Sequence, residues 1–249
     1  MTADALLRVE GVSAGYGDMT VLHGVTFAAQ AGTVTAVAGA NGAGKTTLLK
    51  TILGLLPAGA GAVWFSGAPV TRCSVSDRIA QGMGLVPEGR GLFSTMSVGD
   101  NLRLGGRAAG VGGAALGAAI GEALELFPAL SAKLKVPAGR LSGGQQQMLS
   151  LARTLVASPR LLLLDEPSMG LAPKVWSELL VLIRALAGEG RAVILAEQKI
   201  RPVLEISDHC VVLQRGRVVF TGAARDEAAE RSISGAYLET EMVTGGDHG

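Results

Sequence analysis

The stretch GANGAGKTT, Gly39 to Thr47, restricts the fold of this chain more than any other segment. It satisfies the pattern G-x-x-x-x-G-K-[ST] and lies between the apolar run GTVTAVAG and the helical run KTTLLKTILGLL. A strand, a glycine-rich turn and a helix start are the context this phosphate loop needs. The residues Gly39, Ala40, Asn41, Gly42, Ala43 and Gly44 can curl so that successive amides point inward at phosphate oxygens. Lys45 would reach the β- and γ-phosphates, the Thr46 hydroxyl would ligate Mg²⁺, and Thr47 closes the set of nucleotide-binding residues. A dinucleotide fold fits poorly, because the glycine spacing differs and no acidic residue follows about 20 positions on to hold a ribose.

The second half of a nucleotide site is LLLLDEP, Leu161 to Pro167. Four leucines bury a strand, and its carboxyl end presents two adjacent acids. Period-two alternation sends Asp165 and Glu166 in different directions, so each can take its own task. Asp165 would hold Mg²⁺ through water, and Glu166 would orient and deprotonate the attacking water. A third segment, LSGGQQQMLSLARTL (Leu141 to Leu155), reads as a helix opened by a serine and two glycines. Ser142, the amides of Gly143 and Gly144, and the helix dipole form a seat for an anion.

The remaining patterns imply an α/β core. LLRVEGVSAGY and TVLHGVTFAA alternate like half-buried antiparallel strands at an edge, and AVWFSGAPV reads as one further short strand. ASPRLLLLDEP and GRAVILAEQ are continuous apolar strands buried on both faces, with right-handed helical crossovers between them. HCVVLQRGRVVFTG is a hairpin turning at Arg215–Gly216. The Gly/Ala-rich segment LGGRAAGVGGAALGAAIGEAL predicts a mobile or frayed connection, since interior glycine costs a helix about 1 kcal/mol relative to alanine. TGGDHG at the end predicts a flexible tail.

Composition narrows the function. Hydrophobic residues make up 48% and charged residues 17%, which suits a buried core, and a formal charge of +1 argues against nucleic acid as partner. No run reaches the roughly 20 apolar residues of a membrane span, and MTADALLRVEG lacks the pattern of a signal peptide. The chain is expected in the cytosol, working at a membrane only as a guest. Cys73 and Cys210 form no CxxC pair and read as reduced thiols, and His23, His209 and His248 show no metal-ligand spacing.

With GANGAGKTT, LSGGQQQ and LLLLDEP in this order, the chain resembles an ATP-binding cassette (ABC) ATPase along nearly its whole length. The resemblance implies a P-loop NTPase with a RecA-like core, an N-terminal antiparallel β subdomain and a helical signature subdomain. On that pattern residues 1–249 form one ABC ATPase domain. Residues 1–87 and 159–240 give the core with its β subdomain, 88–158 the helical subdomain, and 241–249 a tail. It also implies that Leu141, Ser142, Gly143, Gly144 and Gln145 bind the γ-phosphate of an ATP held by a second ATPase subunit. Tyr16 falls where the family stacks an aromatic ring on adenine. GLVPEGRGLFSTMSVGDNL resembles the loop that senses γ-phosphate and Mg²⁺ and receives a helix of a membrane partner, with Phe93 and Met96 as candidates for that surface.

Three positions depart from the common pattern. Glu88 replaces the usual glutamine, Gln198 the usual histidine, and Ala172 the usual aspartate after the acidic pair. Glu88 could bind Mg²⁺ directly or through water, and Gln198 could donate an amide hydrogen bond to the γ-phosphate without ever becoming cationic. VPEGRGLF, LDEPSMGLAP, AEQ and AYLETE together resemble the ATPases of bacterial branched-chain amino-acid importers, the GLAP form being that of the smaller of their two ATPases. Such an assembly implies two membrane permease subunits, a periplasmic solute-binding protein, and a peripheral position on the cytoplasmic face of the inner membrane. Related urea and amide importers share much of the pattern. A soluble ABC protein acting on ribosomes or DNA is the alternative of another class.

Overall fold

Strand pattern sorts the chain into two sheets, described for residues 5–244 of a computed structural model. Strands β1 (Leu7–Tyr16), β2 (Met19–Ala29), β4 (Ala58–Phe65) and β5 (Ala68–Pro69) form an antiparallel sheet in the order β2-β1-β4-β5. Strands β3 (Val34–Ala38), β6 (Met83–Val86), β7 (Leu161–Asp165), β8 (Ala192–Glu197), β9 (His209–Gln214) and β10 (Arg217–Ala223) form the second sheet. Its order is β10-β9-β3-β8-β7-β6, parallel except for the final β9–β10 hairpin.

Every residue of β3, β7 and β8 is buried. Their side chains divide by parity between two apolar clusters, as a pleated strand covered on both faces requires. Leu162 and Leu164 join the helical side, whereas Leu161 and Leu163 face the antiparallel sheet and helix α1 (Lys45–Leu53). Helices α2 (Val75–Ala80), α3 (Val98–Ala108), α4 (Gly113–Leu126), α5 (Pro128–Ser131), α6 (Gly143–Leu155), α7 (Pro173–Gly188), α8 (Ile200–Ile206) and α9 (Glu227–Thr244), with a 3₁₀ turn at Ala138–Arg140, complete the described chain. Val98, Leu102, Ala123, Phe127 and Leu149 lie in the same cluster as Leu162 and Leu164. The helical segment between β6 and β7 therefore packs continuously onto the sheet.

Three local expectations need correction. The Gly/Ala-rich segment is not a frayed connection: it holds the end of α3, a turn and most of α4. Its glycines permit close helix approach. A Cβ at Gly105 would lie 2.0 Å from the Arg153 carbonyl oxygen, and one at Gly106 2.4 Å from Leu116 Cδ1. Helix propensity is a weak prior beside such packing. Next, β1 is an inner strand paired on both sides, with β2 and with β4. Finally, AVWFSGAPV is a hairpin: the chain turns at Ser66–Gly67, both left-handed, and returns as β5. The turn expected at Arg215–Gly216 is present, with φ of 46° and 74°. Helix α9 takes in Glu241–Thr244, and the rest of the expected tail, with His248, lies outside the described residues.

Candidate nucleotide site

The phosphate loop leaves the buried β3 and enters α1 at Gly44, in the order the sequence predicts. Close approach dictates two of its glycines. A Cβ at Gly39 would lie 2.5 Å from the Leu213 carbonyl oxygen, and Gly44, at φ 106°, would place one 2.8 Å from Leu22 Cδ2. Gly216 in the β9–β10 turn donates its amide to the Ala43 carbonyl at 3.0 Å, so the terminal hairpin supports the loop from behind. Helix α1 has neither a capping side chain nor an acid in its first turn. Its amides and positive dipole end therefore suit an anion supplied from outside.

Lys45, Thr46, Asp165 and Glu166 come together although more than a hundred residues separate the two pairs. The Thr46 hydroxyl donates to Asp165 Oδ1 at 3.0 Å, and Lys45 Nζ lies 3.2 Å from Glu166 Oε1. Lys45 Nζ also donates to the Gly39 carbonyl at 2.8 Å. Strand alternation does not separate the two acids. Strand β7 stops at Asp165, and Glu166 adopts a left-handed φ of 46° while its amide donates to Ala196 at 2.9 Å. That kink aims Asp165 at Thr46 and Glu166 at Lys45. Such strained backbone concentrates at functional sites.

Asp165 is only 2% exposed. Burial pushes its carboxyl up to about 6, helped by the negative charges of Glu88 and Glu166 and opposed by the Thr46 hydrogen bond and Lys45. Glu88 itself is exposed on the turn after β6, close enough to act on Asp165 electrostatically. The Thr46 hydroxyl and Asp165 carboxylate are hard oxygen donors. They fit Mg²⁺, which keeps several waters and takes one or two carboxylates together with substrate phosphates. Among the described residues no cluster of three or more His, Cys, Asp and Glu could hold a metal ion unaided.

The other candidates lie on separate elements. Tyr16 ends β1 with 45% of its surface exposed, as a stacking platform requires. Gln198 is exposed just beyond β8, and Ala172 is exposed at the start of α7, where it gives no side-chain cap. Phe93 is 53% exposed, with the Arg153 guanidinium 5.9 Å over its ring, and Met96 is half-buried. Leu141 is buried, anchoring the turn before α6.

Ser142 and Gln145 form a reciprocal cap at the start of α6. Ser142 Oγ accepts from the Gln145 amide at 3.3 Å, and Gln145 Oε1 accepts from the Ser142 amide at 3.2 Å. Part of the expected anion seat is thus satisfied within the chain. The hydroxyl proton of Ser142 remains available for donation, since accepting a bond does not use it.

Two site neighbours escaped the sequence reading. Glu197, buried at the end of β8, accepts from the Ser168 amide at 2.8 Å and holds the turn that follows Glu166. Burial pushes its carboxyl upward, with the Ser168 bonds opposing. Tyr237 on α9 places its hydroxyl 2.7 Å from the Gln198 carbonyl and 3.2 Å from that of Gly39. Glu197 stood in the quoted run AEQ and Tyr237 in AYLETE, but neither spacing shows what the side chain meets.

The family model described as ABC transporter matches residues 22–169. The chain is 39% identical to the high-affinity branched-chain amino acid transport ATP-binding protein BraG of Pseudomonas aeruginosa, over 88% of this chain and 94% of that protein. It is 36% identical to the probable branched-chain amino acid transport ATP-binding protein LivF of Archaeoglobus fulgidus, over 89% and 93%. Its fold matches the crystal structure of a nucleotide-free ATP-binding cassette from an ABC transporter with a TM-score of 0.82 and 26% identity, covering 93% of this chain and 95% of the other. With a phosphate loop and an acid pair joined in space, and a family match over most of its length, this chain belongs to the ABC transporter family as one of its ATP-hydrolysing, ATP-binding subunits.

Proposed function

We propose that the protein powers an importer of branched-chain or other hydrophobic amino acids, as the ATPase subunit bound to the cytoplasmic face of the membrane. The relatives at 36–39% identity, both described as branched-chain amino acid transport ATP-binding proteins, support this solute class. No helix among the described residues is long and apolar enough to cross a membrane. Attachment then falls to two permease subunits, which receive solute from a periplasmic binding protein. A second ATPase subunit, a sister chain or a copy, completes each nucleotide site.

In this reading Tyr16 stacks on adenine, and residues Gly39 to Thr47 hold the phosphates. Thr46 and Asp165, with Glu88 nearby, hold Mg²⁺, which neutralises phosphate charge when bound. Lys45 shifts from the Gly39 carbonyl and Glu166 onto the β- and γ-phosphate oxygens, a stronger charge-assisted contact. Glu166, relieved of its ion pair, orients the attacking water and accepts its proton. Gln198 donates its amide to the γ-phosphate. The segment Leu141 to Gln145 of the other subunit closes over that phosphate, so ATP lies between the chains. Hydrolysis and product release reopen the pair and move the permeases.

The 3.2 Å contact between Lys45 and Glu166 is the observation that supports this reading most, because a carboxylate beside the lysine of a phosphate loop suits a base for the attacking water. Replacing Glu166 with Gln removes the base while keeping the shape. The variant is expected to form an ATP-stabilised dimer and to release phosphate at least about 100-fold more slowly. Phosphate release at the wild-type rate would remove Glu166 from the role. Copurification of the tagged chain from its native membrane, with identification of its companions and leucine uptake in reconstituted vesicles, tests the importer assignment.

A further inference from the structure

Three successive residues after Glu88 adopt left-handed backbone: Gly89 at φ 72°, Arg90 at 71° and Gly91 at 58°. The conformation is easy for the two glycines and unfavourable for the arginine between them. The Arg90 guanidinium also lies against the first turn of α6, which contains no acidic residue. A cation beside the positive end of a helix dipole is a second unfavourable placement. Local backbone needs explain neither, since glycine at position 90 would avoid both.

The side chain has a defined set of partners. Arg90 Nη1 donates to Gln146 Oε1 at 2.6 Å, and the Gln146 amide group donates to the carbonyls of Leu141 at 3.2 Å and Ala138 at 3.3 Å. Arg90 is thus bonded, through one glutamine, to the turn that delivers Ser142 and Gly143. Its Nη2 fills the space beside two glycines: a Cβ on Gly143 or on Gly170 would come within 3.2 Å of it. The Arg90 carbonyl accepts from Ser150 Oγ at 2.6 Å, and the Gly91 carbonyl accepts from Arg153 Nη1 at 2.7 Å. One strained residue therefore joins the Glu88 turn, the start of α6 and the loop after Glu166.

We propose that Arg90 is a positioning residue that sets the orientation of the Ser142–Gly144 seat relative to the Glu88 turn. This rests on the reading of Leu141–Gln145 as that seat. The link runs through one short bond, Arg90 to Gln146, and the guanidinium is packed against Gly143 and Gly170, so it has little room to move independently of the turn.

The test is Arg90→Gly, which removes the link and the left-handed strain together. Expected are a melting temperature equal to or above wild type, and ATP affinity of the dilute chain within about twofold of wild type. The turnover rate should drop about tenfold or more, with faster amide hydrogen exchange at Gly143–Gln147. Arg90→Lys should recover part of the rate, since an ammonium can still reach Gln146. Turnover within about twofold of wild type, or unchanged exchange at Gly143–Gln147, would overturn the proposal. A parallel loss of melting temperature and ATP affinity would also overturn it, by reducing Arg90 to local structure. Ser142→Arg separates the two readings. If that variant hydrolyses ATP like the wild type, the seat assignment fails, and exchange in Arg90→Gly alone decides whether Arg90 orders the turn.

Discussion

Replacing Asp165 with Asn should stabilise the isolated protein at neutral pH while abolishing its support for hydrolysis. The carboxyl is displaced from an ordinary 3.8 to about 6, chiefly by burial. Between these values the folded protein holds a proton that the unfolded chain has released. Stability therefore falls as pH rises through that window, and the loss is complete above the folded value. At about 1.4 kcal/mol per tenfold change in proton affinity, the penalty is about 3 kcal/mol at pH 7 and shrinks to a small fraction of that by pH 4. Asparagine escapes it and can still accept the Thr46 hydroxyl through Oδ1. Thermal and urea unfolding of both proteins in EDTA without nucleotide measure the difference, and titrating groups far from Asp165 cancel in the comparison, whereas Glu88, Glu166 and Lys45 are coupled to it. At pH 7 the variant should melt about 6–12 °C higher. A gain of equal size at pH 4 and pH 7, or a loss at pH 7, would refute the desolvation argument.

Three further outcomes follow from single contacts. Lys45→Ala should weaken ATP binding roughly thirtyfold or more, as loss of a buried charge partner costs about 2–5 kcal/mol, and calorimetry measures it. Gly105→Ala would place a methyl group 2.0 Å from the Arg153 carbonyl oxygen, so α3 and α6 must separate. A stability loss of about 1–3 kcal/mol by urea titration is expected. Tyr237→Phe deletes the hydroxyl that reaches the Gln198 and Gly39 carbonyls and should cost about 1 kcal/mol in the same assay. An unchanged midpoint would mean that this bridge contributes nothing to stability.

Much of the site was legible because its chemistry is local. A phosphate loop needs its glycines, lysine and threonine on consecutive residues, since a single strand-to-helix turn must supply every amide. The acids at the end of LLLLDEP were readable for a similar reason: uninterrupted leucine marks a strand buried on both faces, and polar residues at its exit face the ligand side. The continuous apolar runs likewise announced β3, β7 and β8, and the Arg215–Gly216 turn announced the hairpin. Glycine was misread at Gly105 and Gly106. Its low helix propensity is a property of the residue alone, whereas its value there lies in the neighbour it admits.

What the amino-acid order determined by itself was the inventory: a nucleotide loop, an acid pair, a seat-like helix start, and the α/β alternation that joins them. What only the tertiary structure decided was which of these groups meet. The left-handed turn at Glu166 that aims it at Lys45, the Arg90–Gln146 link, and the Tyr237 hydroxyl over Gln198 and Gly39 all connect residues distant in sequence. Periodicity reports which face of an element is apolar. It carries no information on where another element's side chain will end, because that depends on the packing of both sheets and the helices between them.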